Sequence, residues 1–359
     1  MAEQEAFQRF LGQRYFSSLD GVRCLSIGAV LWHHSPLYDP ESTSFLLLNR
    51  GFLGVDLFFV LSGFLITTLL LREETGNGRI SIPAFYRRRA LRILPVYFLL
   101  VTALSVYYLL IKGEVQYGPL VPYYYLFLAN FLTGDIPLLA PTWSLSVEEQ
   151  YYMVWPLIIV LSLGFARARG WLLVLAIGFC AVAQQSGMWP GPLPTEHAIW
   201  ALPGGAYEAI LLGSFLAVVL NNRQGYRWVW ALLRHRWTPV VIFTVLLVLL
   251  EVLPSALTGW PELLIHLTMT LLLASVVLRE DHVLRPVLSF APVARIGTIS
   301  YGIYLYHLIG LDFTTRILGR LGIEKGALDT WISLVYVLVS IVIAEISFRT
   351  YERFFLGLK

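Results

Sequence analysis

The stretch that decides the fold is 19-LDGVRCLSIGAVLWHHS-35. An apolar run is bracketed here by Asp20 and Arg23 at one end and by His33 and His34 at the other. Its length and hydropathy suit a membrane helix, and a membrane helix excludes ionisable groups unless they serve a purpose. Arg23 and His34 are eleven residues apart, three helical turns, so they share one face about 16 Å apart along the axis.

The rest of the chain repeats the pattern. Of 359 residues 57% are apolar and 14% charged, with mean hydropathy +0.68. A soluble domain of this size carries about a quarter charged residues. Here the charges cluster between apolar blocks, which identifies a polytopic membrane protein and argues against a nucleic-acid partner. The opening MAEQEAFQRFLGQRYF contains no apolar core, so no cleaved signal peptide is expected. Cys24 and Cys180 lie far apart in apolar segments, which suggests neither a disulfide framework nor a metal site. With no internal repeat or low-complexity tract visible, a single domain over 1–359 without an appended soluble domain is expected.

Apolar blocks run at about 22–38, 51–71, 92–111, 143–163, 171–188, 204–221, 238–253, 261–278, 296–311 and 329–349. Each approaches the roughly 20 residues that span a bilayer. The N-terminus (Arg9, Arg14) and the connections 72–92, 164–170, 222–237 and 279–295 are basic, as is the C-terminus. The connections 39–50, 112–142, 189–203 and 254–260 hold few or no cations. The positive-inside rule then puts both termini in the cytoplasm of a chain in the inner membrane. The loop 312–328, with Arg316, Arg320 and Lys325, fits that scheme poorly and is partly offset by Asp312 and Glu324. The apolar run 119-PLVPYYYLFLANFL-132 would break the alternation if it crossed. Short and opened by two prolines, it reads as a re-entrant or interfacial segment. The expected fold is therefore all-α, with ten crossings (eleven if 119–132 spans) and this segment.

The topology assigns depths to the intramembrane polar residues. Arg23 falls at the cytoplasmic end and His34 towards the outer surface. Asp56, near the outer end of the second helix, falls at a depth close to that of Ser144 and Glu148 on the fourth. Tyr304 and His307 on the ninth reach the same level. His34 with Asp56 or Glu148 would make a general base and its orienting carboxylate. The competing reading is structural: His33 as an interfacial residue, Asp56 and Glu148 as buried acids bonded to neighbouring helices. His266, Glu208, Glu251 and Glu345 carry only that structural reading, and His197, His235 and His282 fall in loops where exposure is the default. On the cytoplasmic side, 85-FYRRRALRILP-95 packs Arg87, Arg88, Arg89 and Arg92 together. This suits headgroup binding. Arg89 and Arg92 also share a helix face, and arginine is well suited to bidentate phosphate recognition.

The stretch 18-SLDGVRCLSIGAVLWHH-34 resembles the first helix of the membrane acyltransferase family 3 proteins. The resemblance extends through GVDLFFVLSGFLIT (54–67), RRRALRILPVY (87–97), WSLSVEEQYY (143–152), ISYGIYLYH (299–307) and SFRTYERFF (347–355). It implies O-acylation of a carbohydrate or other hydroxyl acceptor with an acyl group, typically acetyl, from cytoplasmic acetyl-CoA as donor substrate, with no bound cofactor. Matched to the family's motifs, Arg23 and His34 form its Arg–His pair, Arg89 and Arg92 its Arg-x-x-Arg, and Ser144 with Glu148 its Ser-x-x-x-Glu. The chain departs from the pattern at Pro141, at Ala206 before YEAILLG, and at Glu352-Arg353-Phe354.

On this reading the donor's phosphates dock on Arg88, Arg89 and Arg92, aided by Arg23, and its pantetheine arm runs up between helices. His34 acts as general base on the acceptor hydroxyl or as an acyl carrier. Glu148 and Asp56 are the candidate orienting carboxylates, and Ser144 would stabilise the oxyanion. Trp143, Tyr304 and His307 are the candidate acceptor-binding residues. The expected partners are acyl-CoA, a surface or secreted polysaccharide or its lipid-linked precursor, and the bilayer. A transporter of an acylated or lipid-linked product is the rival class. It predicts matching halves with Gly/Pro-broken helices, and a polysaccharide polymerase or ligase predicts large charged outer loops.

Overall fold

The structure, a computed structural model, describes residues 2–13, 15–39, 45–162, 166–186, 193–194, 196–200, 204–320 and 329–358. Arg14, Glu324, Lys325 and most of 189–203 lie outside the described residues. The fold is all-α. Its only strands among the described residues are the two-residue pair Leu193–Pro194 and Ile199–Trp200.

An amphipathic helix α1 (Ala2–Gly12) precedes α2 (Ser18–His33), α3 (Gly54–Asn77), α4 (Ile82–Val106), α5 (Thr142–Leu161) and α6 (Ala166–Ser186). Then follow α7 (Gly205–Asn221), α8 (Arg223–Leu233), α9 (Thr238–Val252), α10 (Trp260–Leu278), α11 (Ser300–Arg320) and α12 (Asp329–Ser347). Every one of the ten apolar blocks thus holds a helix. By length and composition four helical stretches suffice to cross a membrane: Leu46–Asn77, Ile82–Ile111, Trp260–Leu278 and Asp329–Leu356. The pair α7–α8, bent by 105°, makes a fifth if counted as one span. The helix starts follow local chemistry. Pro83, Pro239 and Pro261 sit in first turns, where the missing N–H costs nothing. Asn222 caps α8 by accepting from the backbone N–H groups of Gln224 and Gly225 at 2.9 and 3.1 Å.

Helix α3 is the centre of the bundle: 78% of its apolar window is buried, against 33% for the last span. It lies against α7 with backbones nearly touching. A Cβ on Gly63 would fall 1.9 Å from the Ile210 carbonyl oxygen, and one on Gly213 would fall 2.0 Å from that of Val60. Small residues at such crossings let membrane helices approach closely.

The basic connections gather at one end of the bundle. Arg72 donates to the Phe10 carbonyl at 2.7 Å and to that of Gln13. Ser17 Oγ bonds Glu280 at 3.2 Å, and Arg279 reaches the Arg234 carbonyl at 2.7 Å. Arg169 forks onto Glu74 at 2.6 and 3.0 Å. Arg87 reaches the Leu358 carbonyl at 2.9 Å. The cation-poor connections meet at the opposite end. Arg50, the single basic residue of 39–50, donates to the carbonyls of Leu250 and Leu253 at 2.9 and 2.7 Å, where it caps the C-terminus of α9. Thr133 donates from its backbone to the His197 carbonyl at 3.0 Å.

The segment 115–139 contains short turns of three to six residues, so it does not cross the membrane as a helix. Its irregular backbone is answered by side chains, as membrane depth requires. Tyr97 donates to the Tyr124 carbonyl at 2.7 Å, and Gln150 to that of Phe127 at 2.7 Å. Ser146 accepts from the Ala129 N–H at 3.2 Å, and the Tyr124 hydroxyl accepts from that of Ile136 at 2.9 Å.

Candidate active site

A cavity of about 400 Å³ opens inside the bundle between α2, α3, α4, α5 and α11. Its lining includes Tyr15, Arg23, Arg72, Arg89 and Arg92 from the basic segments and, further in, Ser62, Glu148, Ser144 and Tyr304. The volume falls within the range of small-ligand sites. Four arginines and one carboxylate supply the charge of the wall, so the cavity attracts an anion.

Each arginine has a distinct setting. Arg23 pairs with Asp20 one turn earlier. Arg72 lies over the rings of Phe10 and Phe16, 5.4 Å from each centroid. Arg89 lies over the Tyr152 ring at 4.0 Å, with its Nε buried and unpartnered. Arg92, one turn on, is exposed to the cavity. At the inner mouth, before α2, Tyr15 donates its hydroxyl to Asp20. That bond to a carboxylate raises the phenol to about 12. Glu148 accepts from Ser62 Oγ at 2.7 Å.

At its deep end the cavity meets a row of polar groups on α11. Ser144 Oγ and the Tyr304 hydroxyl lie 2.7 Å apart, and Tyr304 donates to the Pro141 carbonyl at 2.8 Å. One turn further on, His307 is fully buried and its ring lies 4.8 Å from that of His34. Both imidazoles are oriented by backbone carbonyls. His34 Nδ1 bonds Val30 O at 3.0 Å, and His307 Nδ1 bonds Tyr304 O at 2.7 Å. A carbonyl can only accept, so Nδ1 carries the proton and each neutral ring presents a lone pair on Nε2. On its other side His34 lines a second cavity of about 310 Å³ with Ser35, Pro36, Leu311, Thr315, Asp329 and Ile332.

The expected common depth of the candidates does not hold for Glu148, which bonds Ser62 six residues along α3 from Asp56. The pairing of His34 with Asp56 or Glu148 is not the one the fold makes: the ring neighbours of His34 are His33 and His307. Asp56 turns to His266 on α10 at 3.6 Å, and Glu148 turns to Ser62 in the arginine-lined cavity. Arg88 also separates from Arg89 and Arg92. It points out of the cavity to Glu73 at 3.3 Å, because neighbouring residues on a helix are about 100° apart. Trp143 is partly exposed and packs edge-on against Phe59, with centroids 6.1 Å apart. His33 packs on Tyr38 and Phe52. His282, expected to be exposed, is buried and bonded to Ser18 at 3.1 Å.

Sequence reasoning missed Arg72, Ser62 and Tyr301 as cavity residues. Arg72 reads as one more positive-inside charge, and Ser62 and Tyr301 carry no signal that separates them from other polar residues of an apolar helix.

Fold and site together define an integral-membrane protein that encloses a cationic chamber beneath a pair of oriented histidines. The model of the acyltransferase domain matches residues 16–348, and the chain belongs to that acyltransferase family. It is similar to the peptidoglycan O-acetyltransferase OatA of Listeria monocytogenes, 27% identical over 370 residues covering 95% of this chain and 56% of that protein. YrhL of Bacillus subtilis, which carries a provisional peptidoglycan O-acetyltransferase name, is 28% identical over 363 residues, covering 95% and 55%. A Staphylococcus aureus protein provisionally named an O-acetyltransferase is 26% identical over 383 residues, covering 98% and 59%. The chain thus spans little more than half the length of these relatives. No solved structure matches it.

Proposed function

We propose that this chain transfers an acetyl group from acetyl-CoA to a hydroxyl of a cell-envelope carbohydrate, with a peptidoglycan sugar as the leading acceptor. The family supports acyl transfer, and the names of the relatives support acetyl and the glycan. The observation that carries the donor is the four-arginine cavity open towards the basic end of the bundle. Under the positive-inside rule that end is cytoplasmic, in the inner membrane, and both termini lie on the same side.

The donor's phosphates bind at Arg92, Arg89 and Arg23, with Arg72 at the mouth. The thioester then approaches Ser144 and Tyr304. Tyr304 donates to the Pro141 carbonyl, so Ser144, turning its hydroxyl from Tyr304, is the donor to the thioester carbonyl oxygen as charge develops there. The acceptor enters the outer cavity beside His34. His34 Nε2 takes the hydroxyl proton, the oxygen attacks the thioester carbon, and the thiolate leaves and recovers a proton. His307 stands between Tyr304 and His34 and holds the second ring in place.

The reading is tested with membranes containing the chain, radiolabelled acetyl-CoA and isolated cell-wall glycan. Label appearing as a base-labile ester on the glycan is expected, and label remaining with the donor overturns it. In the same assay Arg89→Ala combined with Arg92→Ala should raise the apparent KM for acetyl-CoA about 10- to 100-fold, the loss of at least one charge-assisted hydrogen bond. Arg88→Ala, outside the cavity, should leave it unchanged.

A further inference from the structure

Away from both cavities, the first turns of α3 and α7 and the start of α10 converge on Asp56, Glu208, Glu262 and His266. Glu208 and His266 are fully buried and Asp56 is nearly so, while Glu262 is half-buried at the rim. His266 Nδ1 lies 2.9 Å from Glu208 Oε1. The carboxylate accepts, so Nδ1 holds the proton of the neutral ring and Nε2 presents a lone pair. That Nε2 is buried without a hydrogen-bond partner. Facing it at 3.6 Å is Asp56 Oδ2, itself an acceptor.

Two acceptors facing each other in a buried site call for a positive charge between them, either a second proton on the His266 ring, making a long ion pair with Asp56, or a metal ion. A proton fits poorly, because 3.6 Å is beyond hydrogen-bond length. A metal ion fits well: tetrahedral bonds of about 2.0–2.2 Å separate two ligand atoms by about 3.4 Å. Asp56, Glu262 and His266 offer ligand atoms that all lie within 4.8 Å of one another. The backbone makes room for the third ligand. A Cβ on Gly205 would fall 2.2 Å from a Glu262 carboxylate oxygen. Helix N-termini favour carboxylates in first turns, but they do not account for an imidazole lone pair turned towards those carboxylates.

We propose that Asp56, Glu262 and His266 bind one divalent cation of mixed nitrogen and oxygen preference, zinc or manganese, and that Glu208 orients His266 from behind. The set is the carboxylate–histidine–metal arrangement in which the outer carboxylate fixes the tautomer. One imidazole with two carboxylates suits Zn²⁺ and Mn²⁺. The ion ties α3 to α10, and Glu208 joins α7 to them through His266, at the end opposite the basic segments. Solvent reaches it past Glu262.

The experiment uses the full chain purified in detergent without chelators, with metal content measured by mass spectrometry and Zn²⁺ and Mn²⁺ binding by titration. One ion per chain is expected, with loss to background in His266→Gln and in Glu262→Gln. Glu208→Gln should keep the stoichiometry and weaken affinity about 10- to 100-fold. His235→Gln, in an exposed loop, controls for surface histidines and should bind as the parent does. If His266→Gln does not fold, Glu262→Gln at the rim decides. The proposal is overturned if the parent neither carries nor saturably binds either ion, or if Glu262→Gln binds as tightly as the parent. These readouts do not depend on acyl transfer, so they stand even if the donor or acceptor assigned above is wrong.

Discussion

His34→Ala should slow acetyl transfer by a factor of about 10²–10⁴, the range supplied by a positioned general base, while the chain still inserts and folds. The ring is half-buried, and its one hydrogen bond among the described residues is to the carbonyl of Val30 on its own helix. Removing it opens space beside the outer cavity and leaves the helix crossings intact. His33→Ala is the matched control. His33 packs on Tyr38, Phe52 and the edge of His34 but does not line either cavity, so its loss should change the rate by less than tenfold. Initial rates of label transfer at matched protein levels check both. Full activity in His34→Ala would remove His34 from the chemistry. An acetylated protein trapped on rapid quenching, and absent from His34→Ala, would make His34 an acyl carrier instead of a base.

Gly63→Ala should destabilise the chain by at least about 3 kcal/mol, the upper part of the over-packing range. The new Cβ would lie 1.9 Å from the Ile210 carbonyl oxygen. That obstacle is backbone within a helix and cannot rotate away. Relief requires α3 and α7 to separate, and α3 also carries Ser62 and Asp56. Gly213→Ala meets the Val60 carbonyl from the other side and should behave alike. The two substitutions together should cost less than their sum, because a single separation relieves both. Gly28→Ala, whose Cβ would meet nothing within 4 Å, should melt with the parent. Melting midpoints in detergent read the four variants against the parent. Equal midpoints for Gly63→Ala and the parent would refute the close crossing.

What the sequence made legible was whatever depends on position along one helix. Each apolar block holds a helix, 119–132 is a non-crossing segment, and the spacing of Arg89 and Arg92 puts both on the cavity. The sequence could not resolve rotation about the helix axis or the choice of neighbour. His34, Asp56 and Glu148 are expected at one depth, yet they face His307, His266 and Ser62 respectively, and Ser62 lies six residues, about 9 Å, along α3 from Asp56. Arg88 differs from Arg89 by one residue and faces Glu73 instead of the cavity. The contact between His266 and Glu208 joins residues 58 apart on different helices, and no local pattern encodes that. One signal was available: Glu262 and His266 are four apart and therefore share a face.

The placement of Tyr304 and His307 bears on how the two cavities are kept apart. The arginine-lined cavity ends at Tyr304, and the other begins at His34. Tyr304 and His307, both buried, stand between them. Three residues of helix amount to about 4.5 Å, so the partition between the two cavities is one helical turn thick. Closed by these two buried side chains, that turn is the barrier between the two cavities. In the proposed reaction donor and acceptor meet at this turn, and the transfer does not require the two cavities to join into one channel.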